Sequence, residues 1–261
     1  MSSVSKKVLF ITEGPVDELS LMMSICSDLG MVSSQRAFYS YRTDFHQFAR
    51  LMLPDDCLQV DDALDVLLTL KSHEQNEDNI TVLSADYNDI FIVFDLDPHA
   101  ICTEFGKIRA LASFFTDSSD MGRLFINYPM MQSYKHLKCL PDTEYIDREV
   151  DITQIKNYKK LVGQEAVPEL LKTHQYNHLQ LYEIAAHNYC KREKLLGREY
   201  AISNDSTYNG LDDLKILDIQ LQKLTQRQQC SVLNTSSLIY LEYRPKQFFE
   251  EITRHRNRFR I

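Results

Sequence analysis

The sequence predicts an α/β fold, in which a mainly parallel sheet is flanked by helices and followed by a mostly helical C-terminal part. Three observations support this prediction. Continuous apolar runs at Val8–Thr12, Ile90–Phe94 and Gly122–Pro129 are typical of buried strands. Segments of helical periodicity separate these runs, so the strands need crossover connections, which favour parallel pairing. After about residue 140 helical patterns dominate, and we place one domain over residues 1–140 and a helical region over residues 141–261.

The elements of the first part follow from local signals. After the first strand, Pro15 suits a first helical turn, and Gly30 is a natural stop for the helix between them. The remaining predictions are a strand at Ala37–Arg42, a helix starting from an Asp44 cap, a helix over Asp61–Gln75, a solvated loop over 74–79, a strand within Asp89–Ala100, a helix over 102–115 and a strand at Gly122–Pro129.

Three segments of the second part are predicted to be helical, namely 168–197, 211–229 and 245–259. The short apolar run at 236–244 fits either a strand or the start of a buried helix. No internal repeat or low-complexity tract interrupts these segments.

Charge is distributed unevenly along an acidic chain of net charge −8. Residues 1–130 hold 9 Lys and Arg against 20 Asp and Glu, whereas residues 131–261 hold 20 against 17. This asymmetry is compatible with a metal-binding half and a phosphate-contacting half, and equally with two differently solvated surfaces.

The six cysteines are scattered, with no CxxC pair and no His spacing typical of zinc ligands. We therefore expect reduced thiols and a cytoplasmic protein. No apolar run approaches membrane-spanning length and the first residues do not resemble a signal peptide, so we expect no membrane association.

Carboxylates follow two of the predicted strands directly. Glu13 comes after the first strand, and Asp95 and Asp97 end the run at 90–94. Functional groups gather at the carboxyl ends of parallel strands, and residues i and i+2 of an extended chain point the same way. Three crowded carboxylates repel one another unless a divalent cation neutralises them, and oxygen ligands of this kind suit Mg²⁺ or Mn²⁺. Gly14 and Pro15 then turn the chain away, which we expect to leave Glu13 exposed.

The two motifs "ITEGPVDE" and "IVFDLDPH" together resemble the Toprim domain of topoisomerases, primases, the ribosomal-RNA maturase and the OLD-type nucleases. By position, Glu13 matches the family's glutamate, Asp17 the acid four residues on, and Asp95 and Asp97 the Asp-x-Asp pair. The resemblance implies an Mg²⁺- or Mn²⁺-dependent nuclease in which Glu13, Asp95 and Asp97 are catalytic and these three with Asp17 hold the metal. It covers about half of the chain. "PHA" stands where many Toprim proteins have a glycine, which implies a differently shaped metal loop.

The segment Leu124–Leu137 is similar to small defence-associated Toprim proteins, among them the AbiL type, the RloB-like proteins and the AriB effector of the PARIS system. Gln132 stands where that pattern has an acid. The resemblance implies an effector of antiviral defence that cleaves RNA, such as tRNA, or DNA, and forms a possible homodimer. It also implies control by an ABC-type ATPase, which must be a separate chain because no Walker A motif occurs here. The rival hypothesis is a binding or regulatory module with a Toprim-like fold that does not catalyse.

Several other residues have two interpretations. His99 could contact a phosphate or donate a proton, or simply face water at a helix start. Arg36, Arg42 and Arg50 alternate with aromatic residues as in single-strand binders, but core packing explains the pattern better. Four arginines at even positions from 254 to 260 would form a phosphate-binding strip if the tail is extended, and lose it if the tail is helical. We hypothesise that this tail guides nucleic acid together with Lys191, Arg192, Lys194 and Arg198.

Overall fold

The computed structural model describes residues 6–99, 104–171, 175–198 and 211–259. These residues form two compact units. The first contains residues 6–94 and 104–125, and the second contains residues 95–99 together with the described residues from 126 onward. The second unit thus begins at residue 126 and also takes in the segment that follows the strand at 89–95.

A five-stranded, mainly parallel sheet forms the centre of the first unit, which confirms the predicted α/β class. The strands are β1 (Val8–Thr12), β2 (Arg36–Ser40), β3 (Asp89–Asp95), β4 (Thr116–Asp117) and β5 (Gly122–Asn127). They lie in the order β2-β1-β3-β5-β4, with β3 in the middle. The inner strand β1 is parallel to both of its neighbours, while the short β4 is antiparallel to β5.

Five helices accompany this sheet: α1 (Asp17–Asp28), α2 (Phe45–Met52), α3 (Val66–His73), α4 (Glu77–Leu83) and α5 (Phe105–Phe114). The carboxylate of Asp44 accepts a hydrogen bond from the Gln47 amide, so the predicted cap of α2 is confirmed. The helix predicted over 61–75 is shorter, because Asp65 caps α3 and residues 61–64 form a turn. The loop predicted over 74–79 is wrong in part, since Asn76 caps α4.

Aromatic side chains pack the interior of the first unit. The Phe10 ring stacks between Phe38 and Phe91 across three neighbouring strands, with ring centroids 5.2 and 5.5 Å apart. Phe48 and Phe94 pack with centroids 4.7 Å apart. Val8 to Ile11 are buried completely or nearly so, as a continuous apolar strand predicts.

The second unit is mostly helical, as predicted. Its helices are α6 (Ile152–Ile155), α7 (Tyr158–Glu165), α8 (Pro168–Leu171), α9 (His178–Leu195), α10 (Leu211–Arg227), α11 (Tyr240–Tyr243), α12 (Pro245–Arg254) and α13 (Arg256–Phe259). Strands β6 (Glu149–Asp151) and β7 (Gln229–Ser231) form an antiparallel ribbon that the sequence did not predict. The ambiguous run at 236–244 is helical, with a 3₁₀ turn over Ser236–Ile239 leading into α11.

Polar side chains are packed inside the second unit. Asn188 on α9 accepts hydrogen bonds at its amide oxygen from the Tyr145 hydroxyl (2.7 Å) and the Asn234 backbone amide (2.6 Å). The side-chain amide nitrogen of Asn234 donates in turn to the Met131 backbone carbonyl. Asn188 and Asn234 are almost completely buried, and so is α9 from Leu181 to Glu193. Buried polar groups of this kind must be hydrogen-bonded, and these bonds join segments distant in sequence.

Two expectations about chemistry and location can be compared with the structure. Cys26, Cys57, Cys139, Cys190 and Cys230 are all free thiols, in agreement with the reduced state expected for them. Among the described helices none has the length and apolar character that a membrane crossing requires.

Candidate active site

Glu13 lies at the carboxyl end of β1, with its backbone fixed on both sides. Its amide donates to the Val93 carbonyl of β3 at 3.2 Å, and its carbonyl accepts from the Arg42 amide at 2.9 Å. The Ser40 hydroxyl donates to the same carbonyl at 3.3 Å. Both neighbouring strands therefore hold this residue in register. The residue is half-buried, whereas the sequence suggested an exposed carboxylate.

The turn after Glu13 brings a second glutamate against the backbone. A Cβ atom on Gly14 would lie 2.9 Å from Glu18 Oε2, so glycine is what allows the Glu18 carboxylate to approach. Glu18 is buried in the first turn of α1, next to Asp17, which is its first residue. The positive end of the helix dipole stabilises both carboxylates. Glu18, which the sequence did not single out, thus lies against the backbone of the turn.

Asp95 and Asp97 belong to the segment of the second unit that continues from β3. Asp95 is the last residue of the strand and is 8% exposed. The Leu96 amide donates to the Asn127 carbonyl (3.0 Å), and the Asp97 amide donates to the Pro129 carbonyl (3.2 Å). Asp97 has a φ of 37°, so its backbone is not extended. The extended backbone from which a common direction of the two carboxylates was predicted is therefore absent at Asp97.

His99 lies on the same segment and interacts with Asp97. Its pKa is lowered by burial and by the charge of Lys156, while the negative charge of Asp97 and a hydrogen bond with the Ile155 backbone oppose that shift. Its Nε2 atom is buried and has no hydrogen-bond partner in the described part of the chain. His99 is therefore half-buried against its own unit, which contradicts a water-facing position.

A divalent metal ion needs several oxygen donors grouped around one point. Carboxylate oxygens at strand ends are the donors that Mg²⁺ and Mn²⁺ prefer, so the residue types fit. Within the described residues, however, no group of three or more His, Cys, Asp and Glu side chains could hold a metal ion. Glu13, Asp17, Asp95 and Asp97 therefore suit the ion by residue type, and their role as its ligands stays a prediction.

Gln132 and Asn127 differ in their surroundings. Gln132 is half-buried in the 3₁₀ turn over Met131–Lys135. Asn127 at the end of β5 is fully buried, and its side-chain oxygen accepts from both the amide and the hydroxyl of Ser236. Asn127 thus fixes the strand end that holds Leu96. The only signal in the sequence was a polar residue at the end of an apolar run.

The basic residues assigned to a phosphate-guiding surface do not form one. Lys191 and Arg192 are 1% and 2% exposed. Arg192 forms an ion pair with Asp212, to which Arg198 also donates two hydrogen bonds of 2.8 Å. Lys194 forms an ion pair with Asp147. The guiding role predicted for Lys191 and Arg192 is therefore wrong, because both side chains are buried. Lys194 and Arg198 are 46% and 43% exposed, and their role stays a prediction.

The C-terminal arginines are helical as far as the structure describes them. Arg254 ends α12 and pairs with Glu251, and Arg256 and Arg258 lie on α13. Arg260 lies outside the described residues. The extended strip that would require all four guanidinium groups on one face is therefore not formed.

No known protein family, curated protein sequence or solved structure matches this chain. The Toprim resemblance consequently stays a prediction from two short motifs and the order of the strands that carry them.

Proposed function

We propose that this protein is a metal-dependent phosphodiesterase of the Toprim class that cleaves nucleic acid. The observation that carries the proposal is the strand order: β1 and β3 are parallel neighbours, and each ends directly at a candidate carboxylate. The bond from the Glu13 amide to the Val93 carbonyl sets the register, and Asp95 follows Val93 by two residues on the same strand. Parallel strands deliver their functional groups at this edge of a sheet.

In this proposal Glu13, Asp95 and Asp97 hold Mg²⁺ or Mn²⁺, with Asp17 at the start of α1 as a further oxygen donor. The bound ion would polarise the phosphoryl oxygen and lower the pKa of a water molecule. Backbone hydrogen bonds from both neighbouring strands fix the main chain of Glu13, so only its side-chain torsions need to be set when its carboxylate accepts a proton.

Replacement of Glu13 or Asp95 by its amide tests the proposal. We expect Glu13→Gln and Asp95→Asn to lower Mg²⁺-dependent cleavage of RNA or DNA about 10²-fold or more, while the melting temperature stays the same or rises because carboxylate repulsion is relieved. Asp86→Asn is the control, since Asp86 is an exposed carboxylate of the first unit, to which Glu13 also belongs. A Glu13→Gln protein that cleaves at the wild-type rate would contradict the proposal.

The second candidate function is a non-catalytic binding or regulatory module. It is favoured by the lack of a three-ligand metal group within the described residues. Calorimetric titration of the full chain with Mg²⁺ separates the two functions. Binding that Glu13→Gln and Asp95→Asn abolish supports the enzyme, and no binding at millimolar Mg²⁺, roughly the weakest range for protein sites, supports the module.

The biological role we propose is that of a cytoplasmic effector of antiviral defence restrained by a separately encoded ABC-type ATPase. The resemblance to defence-associated Toprim proteins supports this role. Co-expression with the product of the neighbouring gene tests it. If the chain alone is as toxic as the chain with its neighbour, the ATPase neither restrains nor activates it.

A further inference from the structure

A cavity of about 350 Å³ opens in the first unit at the carboxyl end of β2. Tyr39, Tyr41 and Arg42 line it from the strand end, and Leu51, Leu70 and His73 line it from α2 and α3. The volume lies at the lower end of the range for small-molecule sites, which combine apolar walls with a few polar groups. Its size and mixed lining suit a ligand with one flat apolar part and one charged part.

The acidic group in the cavity wall is already occupied by hydrogen bonds. Glu74 accepts from the Tyr39 hydroxyl at 3.0 Å and from the Asn79 side-chain amide at 2.9 Å. Its other oxygen accepts from the backbone amides of Gln75 and Asn76 at 2.8 and 2.9 Å. These donors lower the pKa of Glu74, the Asn76 amide most of all. Since donors surround it, Glu74 acts as a fixed part of the wall rather than as a partner for a basic ligand.

Arg42 supplies the positive charge of the cavity. Its side chain is exposed, and it forms no ion pair with any residue in the described ranges. Arg42 is among the residues that line the cavity, so its positive charge acts on a ligand bound there. Guanidinium groups bind phosphate through two parallel hydrogen bonds, and an arginine without a carboxylate partner is open to such a ligand.

The backbone of Arg42 ties this cation to the candidate catalytic carboxylate. The Arg42 amide donates to the Glu13 carbonyl at 2.9 Å, and Arg42 has a left-handed φ of 65° that arginine rarely adopts. The sheet register between β1 and β2 fixes this arrangement, with Thr12 opposite Ser40. A phosphate on Arg42 would thus lie one strand away from the carboxyl end of β1.

We propose that this cavity binds one nucleotide of the nucleic-acid strand, with its phosphate on Arg42 and its base against Tyr41 and the apolar wall. The inference rests on the proposed function, because it identifies a nucleotide subsite next to the Glu13 carboxylate. Bases stack on aromatic side chains regardless of sequence, so the cavity would place the strand without selecting a base. A free nucleotide shares the same chemistry, and the experiment must distinguish it from a strand.

The test measures binding to the full-length chain without a divalent metal, so that catalysis does not enter. The probes are 5′-AMP and 5′-UMP, and a fluorescein-labelled single-stranded oligoribonucleotide with its DNA counterpart. We expect Arg42→Gln to weaken binding of mononucleotide and oligonucleotide alike by about ten- to a hundredfold, as loss of a charge-assisted hydrogen bond predicts. Lys71→Gln is the matched control, since Lys71 is an exposed cation on α3 that does not line the cavity.

A second variant separates binding from folding. Arg42→Gly removes the guanidinium and suits the left-handed backbone, so its melting temperature should equal or exceed that of the wild type while its affinity stays low. Equal affinity of Arg42→Gln and Lys71→Gln, or no binding of any probe, would overturn the proposal. Mononucleotide binding that depends on Arg42 while oligonucleotide binding does not would also overturn it, because the ligand would then be a free nucleotide.

The outcome can be distinguished from failure of the proposed function. If metal-dependent cleavage requires Glu13 while nucleotide binding does not depend on Arg42, only the nucleotide subsite is contradicted. If binding requires Arg42 but the protein does not cleave nucleic acid, the phosphodiesterase function is contradicted. The protein would then be a nucleic-acid-binding module.

Discussion

Replacement of Lys191 by methionine should change how the stability of the protein depends on pH. Lys191 is almost completely buried on α9, and its ammonium group donates to the Tyr145 and Arg148 carbonyls and lies 5.0 Å from the Tyr145 ring centroid. Burial, reinforced by the charges of Arg148 and Lys223, lowers its pKa from 10.5 to about 7, against the opposing charges of Glu149 and Cys230. The folded protein therefore binds this proton more weakly than the unfolded chain does.

The direction of the effect follows from proton linkage. Between pH 7 and pH 10.5 the unfolded chain carries more protons at Lys191 than the folded protein, so stability rises with pH in this window. With those two pKa values, the gain from pH 7 to pH 9 is about 2 kcal/mol, which the Lys191→Met protein lacks. The destabilisation caused by Lys191→Met should thus grow by about that amount over the same interval, because the neutral amine keeps its hydrogen bonds.

Urea denaturation at pH 7, 8 and 9 measures this difference, and other titrating groups cancel between the two proteins. Lys194→Gln is the control, because Lys194 lies three residues further along α9 and is 46% exposed. A mutational effect that is the same at all three pH values would refute the low pKa of Lys191, and so would an equal pH dependence for Lys194→Gln.

Three further changes test the packing of the two units. Asp212→Asn removes one of the carboxylates that pair with buried Arg192, which keeps its ion pair with Glu193 at 2.7 Å. It should lower the free energy of unfolding by about 1.5–3 kcal/mol, measured in urea against Lys215→Gln on the exposed side of the same cluster. Gly122→Ala should lower the free energy of unfolding by about 1–3 kcal/mol, because Gly122 has a φ of 113°. Gly163→Ala in α7 should raise it by about 0.5–1 kcal/mol, since a Cβ atom there meets nothing within 4 Å. Equal melting temperatures for the two alanine variants would contradict this reasoning.

The main strands were predictable because their apolar runs are continuous. β1, β3 and β5 are buried on both faces, so each appears in the sequence as a continuous apolar run. Such a run can be recognised without knowing which elements pack against it. The length of α3 was not predictable from periodicity. The Asp61 side chain accepts from the Ala63 amide and forms a turn that competes with helix, so the helix starts only at the Asp65 cap.

The candidate site was predictable in its positions along the chain but not in its geometry. The sequence placed Glu13 and Asp95 at strand ends, and the strand order shows that the two strands are neighbours, which the sequence had left open. The conformation of Asp97 depends on the Pro129 carbonyl, which is distant in sequence, so no local pattern reports its φ. Lys191 was misread because α9 is buried on all sides, and a helix of this kind has no polar face from which exposure can be inferred.

The polar interior of the second unit has a consequence for how this sequence can diverge. The side-chain amides of Asn127, Asn188 and Asn234 have hydrogen-bond partners up to 109 residues away. Replacing one of them leaves donors or acceptors without a hydrogen bond on segments that did not change. Apolar core residues can be substituted one at a time as long as the total side-chain volume is conserved. These asparagines can be substituted only together. We expect distant relatives to share the three asparagines, with Ser236, long after the apolar residues around them have been exchanged. This spaced signature would identify such relatives better than overall identity.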